Sequence, residues 1–157
     1  MLTYIRDTKS IPFFEISQVY QQSIEDPGQS ENLWQEEQDL YHELQDLIEH
    51  RKGVLALWCT EQGIQTVLRL EKHLDGYLIH SLQTRQQSRR KGFARKLMTA
   101  VLHDHPKGTV FYSHVMKDNV ASLQLHLRCG FQVHSDMARL MDGTVSNRYV
   151  TLKILND

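Results

Sequence analysis

The residues with the clearest chemical content form one short run, Arg89, Arg90, Lys91, Gly92, Phe93 and Ala94. Gly92 and Ala94 remove side-chain bulk where the chain turns into a helix, so successive backbone N–H groups can lie open to an anion. The positive end of the helix dipole reinforces such a site. Arg89, Arg90 and Lys91 add charge, and Ser88 can cap the first turn. A multiply charged phosphate would suit this arrangement. Taken alone, a pattern of this length is more often a solvated basic turn before a surface helix, so the rest of the chain has to decide.

Two further groups can move protons. Asn119, Ser122 and His126 are spaced three and four apart, which puts them on one polar stripe of a helix beside an apolar stripe of Leu123 and Leu127. Each also has a plainer reading, as a helix cap, a surface residue and an exposed histidine. His80 alternates with Leu78, Leu82 and Thr84 on one strand face. Its imidazole would titrate near neutral pH without special burial, although a hydrogen-bonded core or edge histidine is an equal alternative. Glu71, His73 and His114 are alternative bases whose facing the sequence does not settle. His103 and His105 lack a third ligand at a metal-like spacing, so no metal is expected. Cys59 and Cys129 match neither a metal nor a disulfide framework and read as buried reduced thiols.

These residues need a scaffold. Leu2 to Arg6 reads as a short strand, and Pro12 can open a helix running through Tyr20 towards Asp26, ended by Pro27 and Gly28. From Glu31 to His50, Leu33, Trp34, Leu40, Tyr41, Leu44, Leu47 and Ile48 recur at helical spacing. The other face carries Glu36, Glu37, Asp39, Glu43 and Asp46, more often a solvated face than an attractor for a cationic substrate. Val54 to Cys59, Ile64 to Leu70 and Tyr77 to Thr84 then predict three consecutive antiparallel strands. Phe93 to His103 is a helix with an apolar stripe of Leu97, Met98, Val101 and Leu102. Thr109 to Val115 is a strand, and Asn119 to Cys129 a helix closed by Gly130. Phe131 to Met141 and Arg148 to Leu155 complete the sheet as a hairpin. Tyr77 to Val115 is thus a βαβ unit with the basic turn at the carboxyl end of its first strand, where α/β folds bind ligands.

Composition bounds the function. A chain of 157 residues with 40% hydrophobic content can build one core, and residues 1–157 read as a single domain. A formal net charge of −1 is unlike a general nucleic-acid binder, so the basic cluster is local and favours a small anionic ligand. The first ten residues lack the apolar core of a secretory signal, and Val54 to Cys59 is too short to cross a bilayer. A cytoplasmic protein without membrane partners is expected. Nothing fixes the oligomeric state, and a homodimer is compatible with the sequence.

The residues resemble the GNAT superfamily of N-acetyltransferases, whose acetyl-coenzyme A motif is Gln or Arg, two residues, Gly, one residue, then Gly or Ala. Arg89, Gly92 and Ala94 match it. A second family pattern is matched by VMKDNVASLQLHLRCGF, with Asn119, Ser122, Gly130 and Phe131 in register. The resemblance extends from Gly53 to the C-terminus, while the N-terminal helices agree in order. It implies an α/β (α+β) fold with a mixed, mostly antiparallel central sheet of about seven strands and helices on both faces.

It further implies that acetyl-coenzyme A is a cosubstrate, its pyrophosphate on the backbone N–H groups from Arg90 to Arg95. The pantetheine arm would run beside Leu82, Gln83 and Thr84, one strand N–H stabilising the oxyanion. Asn119 and Ser122 would face the cofactor. His126 stands where a tyrosine commonly protonates the departing thiolate, and His80 near where many relatives place a glutamate base. Arg90 departs from a frequent glycine at a position taken as permissive. The expected function is direct acetyl transfer to a primary amine of a small molecule or protein. The alternative is a noncatalytic module that binds coenzyme A or a partner.

Overall fold

The computed structural model describes residues 1–20 and 33–157. Strand β1 (Leu2–Ile5) is followed by a short 3₁₀ turn at Thr8–Ser10, capped by the Asp7 side chain, and helix α1 (Phe13–Tyr20). Helix α2 spans Leu33–Glu49. The expected continuation of α1 to Asp26, its stop at Pro27 and Gly28, and the start of α2 at Glu31 lie outside the described residues. Strands β2 (Val54–Thr60), β3 (Gly63–His73) and β4 (Gly76–Thr84) form an antiparallel meander. Helix α3 (Phe93–His103), strand β5 (Val110–Met116) and helix α4 (Val120–Arg128) follow, then β6 (Gln132–Ser135), β7 (Ala138–Arg139), β8 (Val145–Ser146) and β9 (Tyr149–Leu155).

Seven strands make one sheet in the order β1-β2-β3-β4-β5-β9-β6. Its neighbours are antiparallel except for β4 and β5, the parallel pair of the βαβ unit. Each face buries its own apolar cluster. Leu97, Met98 and Val101 of α3 pack with Leu68, Ile79 and Phe111 on one face, all 0% exposed. Ile16 and Val19 of α1 and Leu44 and Leu47 of α2 pack with Leu55 and Val67 on the other. The acidic side of α2 is partly answered within the chain, since Glu43 pairs with Arg69 at 3.1 Å and Asp46 with Arg51 at 3.8 Å.

The last hairpin differs from the expected long strand over Phe131 to Met141. The β6 register shifts between Val133 and Ser135, a bulge beyond which Ser135 makes the last pair with β9, opposite Thr151. The chain then leaves the sheet, and β7 pairs with β8 in a separate ribbon. Its turn is built by Asp142, whose carboxylate accepts from the Thr144 N–H at 2.9 Å, and by Gly143 at φ 87°.

A second bulge, in β4, matters more. Val67 pairs with Gln83 but Arg69 with His80, so β4 holds one extra residue around Ser81, which has φ 52°. An extra residue reverses the alternation. His80 therefore shares its face with Leu78 and Gln83, and Leu82 and Thr84 turn to the α3 face, where Leu82 joins the apolar cluster. The single face expected for Leu78, His80, Leu82 and Thr84 is split. The Tyr20 hydroxyl donates to the Ser81 carbonyl at 2.8 Å and fastens the bulge to α1.

Candidate active site

The parallel ladder between β4 and β5 has three pairs, Tyr77 with Phe111, Leu78 with Tyr112 and Ile79 with Ser113. Beyond Ile79 and Ser113 the two strands no longer pair with each other, while β4 stays paired with β3 and β5 with β9. The sheet thus forks, leaving β4 from His80 to Thr84 without a strand partner on its β5 side, although the Ser81 carbonyl accepts from Tyr20 and the Thr84 carbonyl from Arg89 Nε at 3.3 Å. A cavity of about 220 Å³ fills the fork, bounded by His80, Leu82, His114, Asn119, Ser122 and His126 among others.

From the fork a groove of about 780 Å³ runs across the start of α3. Leu82, Gln83 and Thr84 form one wall, Arg89, Arg90, Gly92, Phe93, Ala94 and Arg95 its end, and Asn119 and Ser122 the other wall. Lys91 is exposed but does not line it. Arg90 has φ 62° and Gly92 φ 81°, so the loop alternates into left-handed conformations that turn successive N–H groups towards a common centre. The first helical bond from Lys96 N–H to Gly92 O, at 3.0 Å, leaves the N–H groups of Phe93, Ala94 and Arg95 ahead of any helical acceptor. Gly92 is the N-cap and no side chain caps the turn. Ser88 is not the expected cap: it is buried, and its hydroxyl donates to Gln65 Oε1, anchoring the loop to β3. Such a cradle is suited to a phosphate-like anion. The Arg90 departure also acquires a physical meaning, because its left-handed φ is one that glycine adopts without steric cost.

Asn119 combines its two readings. Its Oδ1 caps α4 by accepting the Ser122 N–H at 3.2 Å, while the residue lines both groove and fork. His126, 2% exposed, is not the exposed histidine of the plainer reading. Its Nδ1 lies 2.7 Å from the Ser122 carbonyl, which can only accept, so Nδ1 carries the proton. Its ring packs edge-on to Phe131 at 5.1 Å, and Nε2 is buried without a partner. Burial holds its pKa below the ordinary value, offset in part by the Ser122 carbonyl. The neutral ring therefore presents an acceptor at Nε2, whereas protonating a thiolate directly needs the imidazolium. Of the adjacent stripe, Leu123 packs on the core, whereas Leu127 is 51% exposed.

His80 is also unlike its expectation. Burial first, then the charges of Arg69 and Arg51 and the neighbouring His114 and His73, push its pKa down to about 3. Glu71 Oε1 lies 3.8 Å from its Nε2 but is engaged by Arg51 at 2.7 Å, so the carboxylate does little to restore the proton. A group this acidic is a poor acceptor from an amine. Glu71, His73 and His114 line a separate cavity of about 710 Å³. Sequence reasoning passed over Tyr112 and Arg139 in that cavity, because its wall comes from β3, β5, β9 and the β7–β8 ribbon. Among the described residues no group of three His, Cys, Asp or Glu side chains is placed to hold a metal ion, and no helix is long and apolar enough to cross a membrane.

Known structures share this architecture. Aminoglycoside 6'-acetyltransferase type Ii superimposes with a TM-score of 0.72 at 8% identity over 100% of this chain and 97% of that one. PaiA N-acetyltransferase from Thermoplasma acidophilum, solved in complex with coenzyme A, gives 0.64 at 10% identity over 99% of both chains. The ribosomal-protein-S18-alanine N-acetyltransferase of Escherichia coli gives 0.63 at 13% identity over 100% and 95%. At these identities the likeness speaks to fold alone. No curated protein matches the sequence. The sequence pattern of the acetyltransferase (GNAT) family, however, matches residues 15–131, from within α1 through β4, the basic loop and β5 to Phe131 after α4. With both the pattern and the fold in agreement, the chain belongs to the GNAT family of acetyltransferases.

Proposed function

We propose that the protein transfers the acetyl group of acetyl-coenzyme A to a primary amine by direct attack in a ternary complex. The observation that carries this reading is the fork beyond Ile79 and Ser113, which opens at one end onto the cradle of Arg90 and Gly92 and holds an unpartnered imidazole nitrogen. In this reading the cradle and Arg89 hold the pyrophosphate, and the open β4 backbone from His80 to Thr84 pairs with the pantetheine arm. The amine nitrogen bonds to the acetyl carbon, the carbon–sulfur bond breaks, and sulfur leaves with the electron pair.

One proton must pass from the amine to the sulfur. Nε2 of His126, on a neutral ring that borders the fork and itself buried without a partner, is suited to take it and then release it to the thiolate. That assignment replaces His80 as the proton acceptor and keeps His126 as the final donor, with the proton arriving during the reaction rather than resting there beforehand. Relatives of known name act on amines as different as an aminoglycoside and a protein alanine, so the fold does not choose the acceptor. Release of free thiol from acetyl-coenzyme A in the presence of amines tests the reading. A protein that binds acetyl-coenzyme A but releases no thiol with any of the amines would be a noncatalytic coenzyme A-binding module.

A further inference from the structure

The 710 Å³ cavity lies on the α1 and α2 face of the sheet, opposite the cradle. Register places Glu71 beside Leu78, Leu78 beside Tyr112, and His114 two residues further along β5, all on that face. His114 also borders the fork, so the cavity and the fork adjoin across this side chain, on the side from which an attacking nitrogen would have to arrive. Its size is that of small-molecule sites.

Its chemistry is unequal. Among the described residues Glu71 is the carboxylate in its lining; it is 8% exposed, with Oε1 engaged by Arg51 and Oε2 buried without a partner. Arg51 and Arg139 also line the wall, so a ligand with several ammonium groups meets more positive than negative charge. The mouth, by contrast, is apolar. Leu74 is 81% exposed, Met141 59%, Val145 52% and Met137 49%. Leu74 moreover holds φ 51°, a left-handed conformation unfavourable for leucine, in a turn where a smaller polar residue would relieve it. A strained, exposed leucine at the mouth of a cavity points to a ligand that covers it.

We propose that this cavity receives the acceptor, and that the acceptor is a small primary monoamine on an aromatic or alkyl body. The nitrogen is directed to the Glu71 end and the fork, and the body lies among Leu74, Tyr112, Met137 and Met141. Among the described lining residues a polyamine's second ammonium meets no second carboxylate, and Asp75, outside that lining, already accepts from the Tyr112 hydroxyl at 2.7 Å. This inference rests on the acetyl transfer proposed above, and the chemistry is unchanged: the ammonium first loses one proton to solvent, the neutral nitrogen gains the acetyl carbon, sulfur leaves with the electron pair, and a second nitrogen proton ends on sulfur.

The test compares thiol release with 2-phenylethylamine, hexylamine, spermidine and a peptide bearing a free N-terminal alanine, alongside calorimetric binding of acetyl-coenzyme A. The monoamines should exceed spermidine and the peptide in kcat/KM by at least about tenfold, a difference that an apolar pocket can supply. Leu74→Ser and Met141→Ser, at exposed positions that should leave folding intact, should each raise the KM for 2-phenylethylamine by about fivefold or more, with acetyl-coenzyme A affinity unchanged. Preference for spermidine or the peptide overturns this inference and leaves acetyl transfer standing. So does binding of acetyl-coenzyme A with no turnover of either monoamine when another amine is acetylated. Absence of acetyl-coenzyme A binding overturns both.

Discussion

Gly92 and His126 show two different limits on what a single residue discloses. Gly92 is informative as sequence because its role is conformational: φ is 81° and an added Cβ would meet nothing within 4 Å. Aspartate tolerates the left-handed region better than most residues, so Gly92→Asp should fold while placing a carboxylate where phosphate oxygens would sit. Calorimetry should find acetyl-coenzyme A binding lost, and an unchanged affinity in the folded variant would remove this loop as the phosphate cradle. His126 is recognisable by position, but its protonation follows from burial and from the Ser122 carbonyl, neither of which spacing reveals. If Nε2 relays the proton, His126→Phe should lower kcat by about tenfold or more with acetyl-coenzyme A affinity nearly intact. Because burial lowers its pKa, the acceptor form persists below pH 6.5, and the acidic limb of the parental profile should fall below that value. His126→Tyr should recover part of the rate through its hydroxyl. A Phe variant as fast as the parent would leave the transfer to water.

Element boundaries were largely legible because apolar periodicity and turn residues act locally. Helix α3 begins and ends where Phe93 and His103 predict, and Gly130 takes the left-handed φ of 104° expected after α4. The bulges were not legible, because a bulge is an agreement between two strands. The extra residue at Ser81 is held from outside by Tyr20, and it transferred Leu82 and Thr84 to the other face. Pairing between β4 and β5 is likewise decided across the sheet, starting at Gly76, which packs directly on the Val110 backbone. A Cβ there would overlap the Val110 carbonyl oxygen, and backbone cannot move aside as a side-chain tip can. Gly76→Ala should therefore lower unfolding free energy by about 1–3 kcal/mol, as overpacking does. Urea midpoints measure this directly. An unchanged midpoint would show that the closed end of the fork is more yielding than the packing indicates.

At the scale of the molecule, the sheet separates a basic groove on one face from a mixed apolar and charged cavity on the other, and the fork lies between them. The groove was legible from two motifs of local spacing, whereas the cavity draws on residues from Arg51 to Thr151 that no local pattern links. The same burial gives the protein a pH dependence. His80 has a folded pKa of about 3 against an ordinary 6.5, so between these values the unfolded chain takes up a proton that the folded chain refuses. Stability is therefore full above pH 6.5 and declines as the pH falls towards 3, by at most about 1.4 kcal/mol per pH unit from this residue. His114 and His126, whose pKa values are also lowered by burial, act in the same direction. Arg51, Arg69, Glu71, His73 and His114 surround His80, so the comparison must keep them and change only the imidazole. His80→Gln should make the dependence of unfolding free energy on pH between 6 and 4 shallower by close to one proton, while the remaining slope persists. Urea titrations of both proteins at several pH values read this difference, and parallel curves would mean that His80 accepts its proton in the folded state.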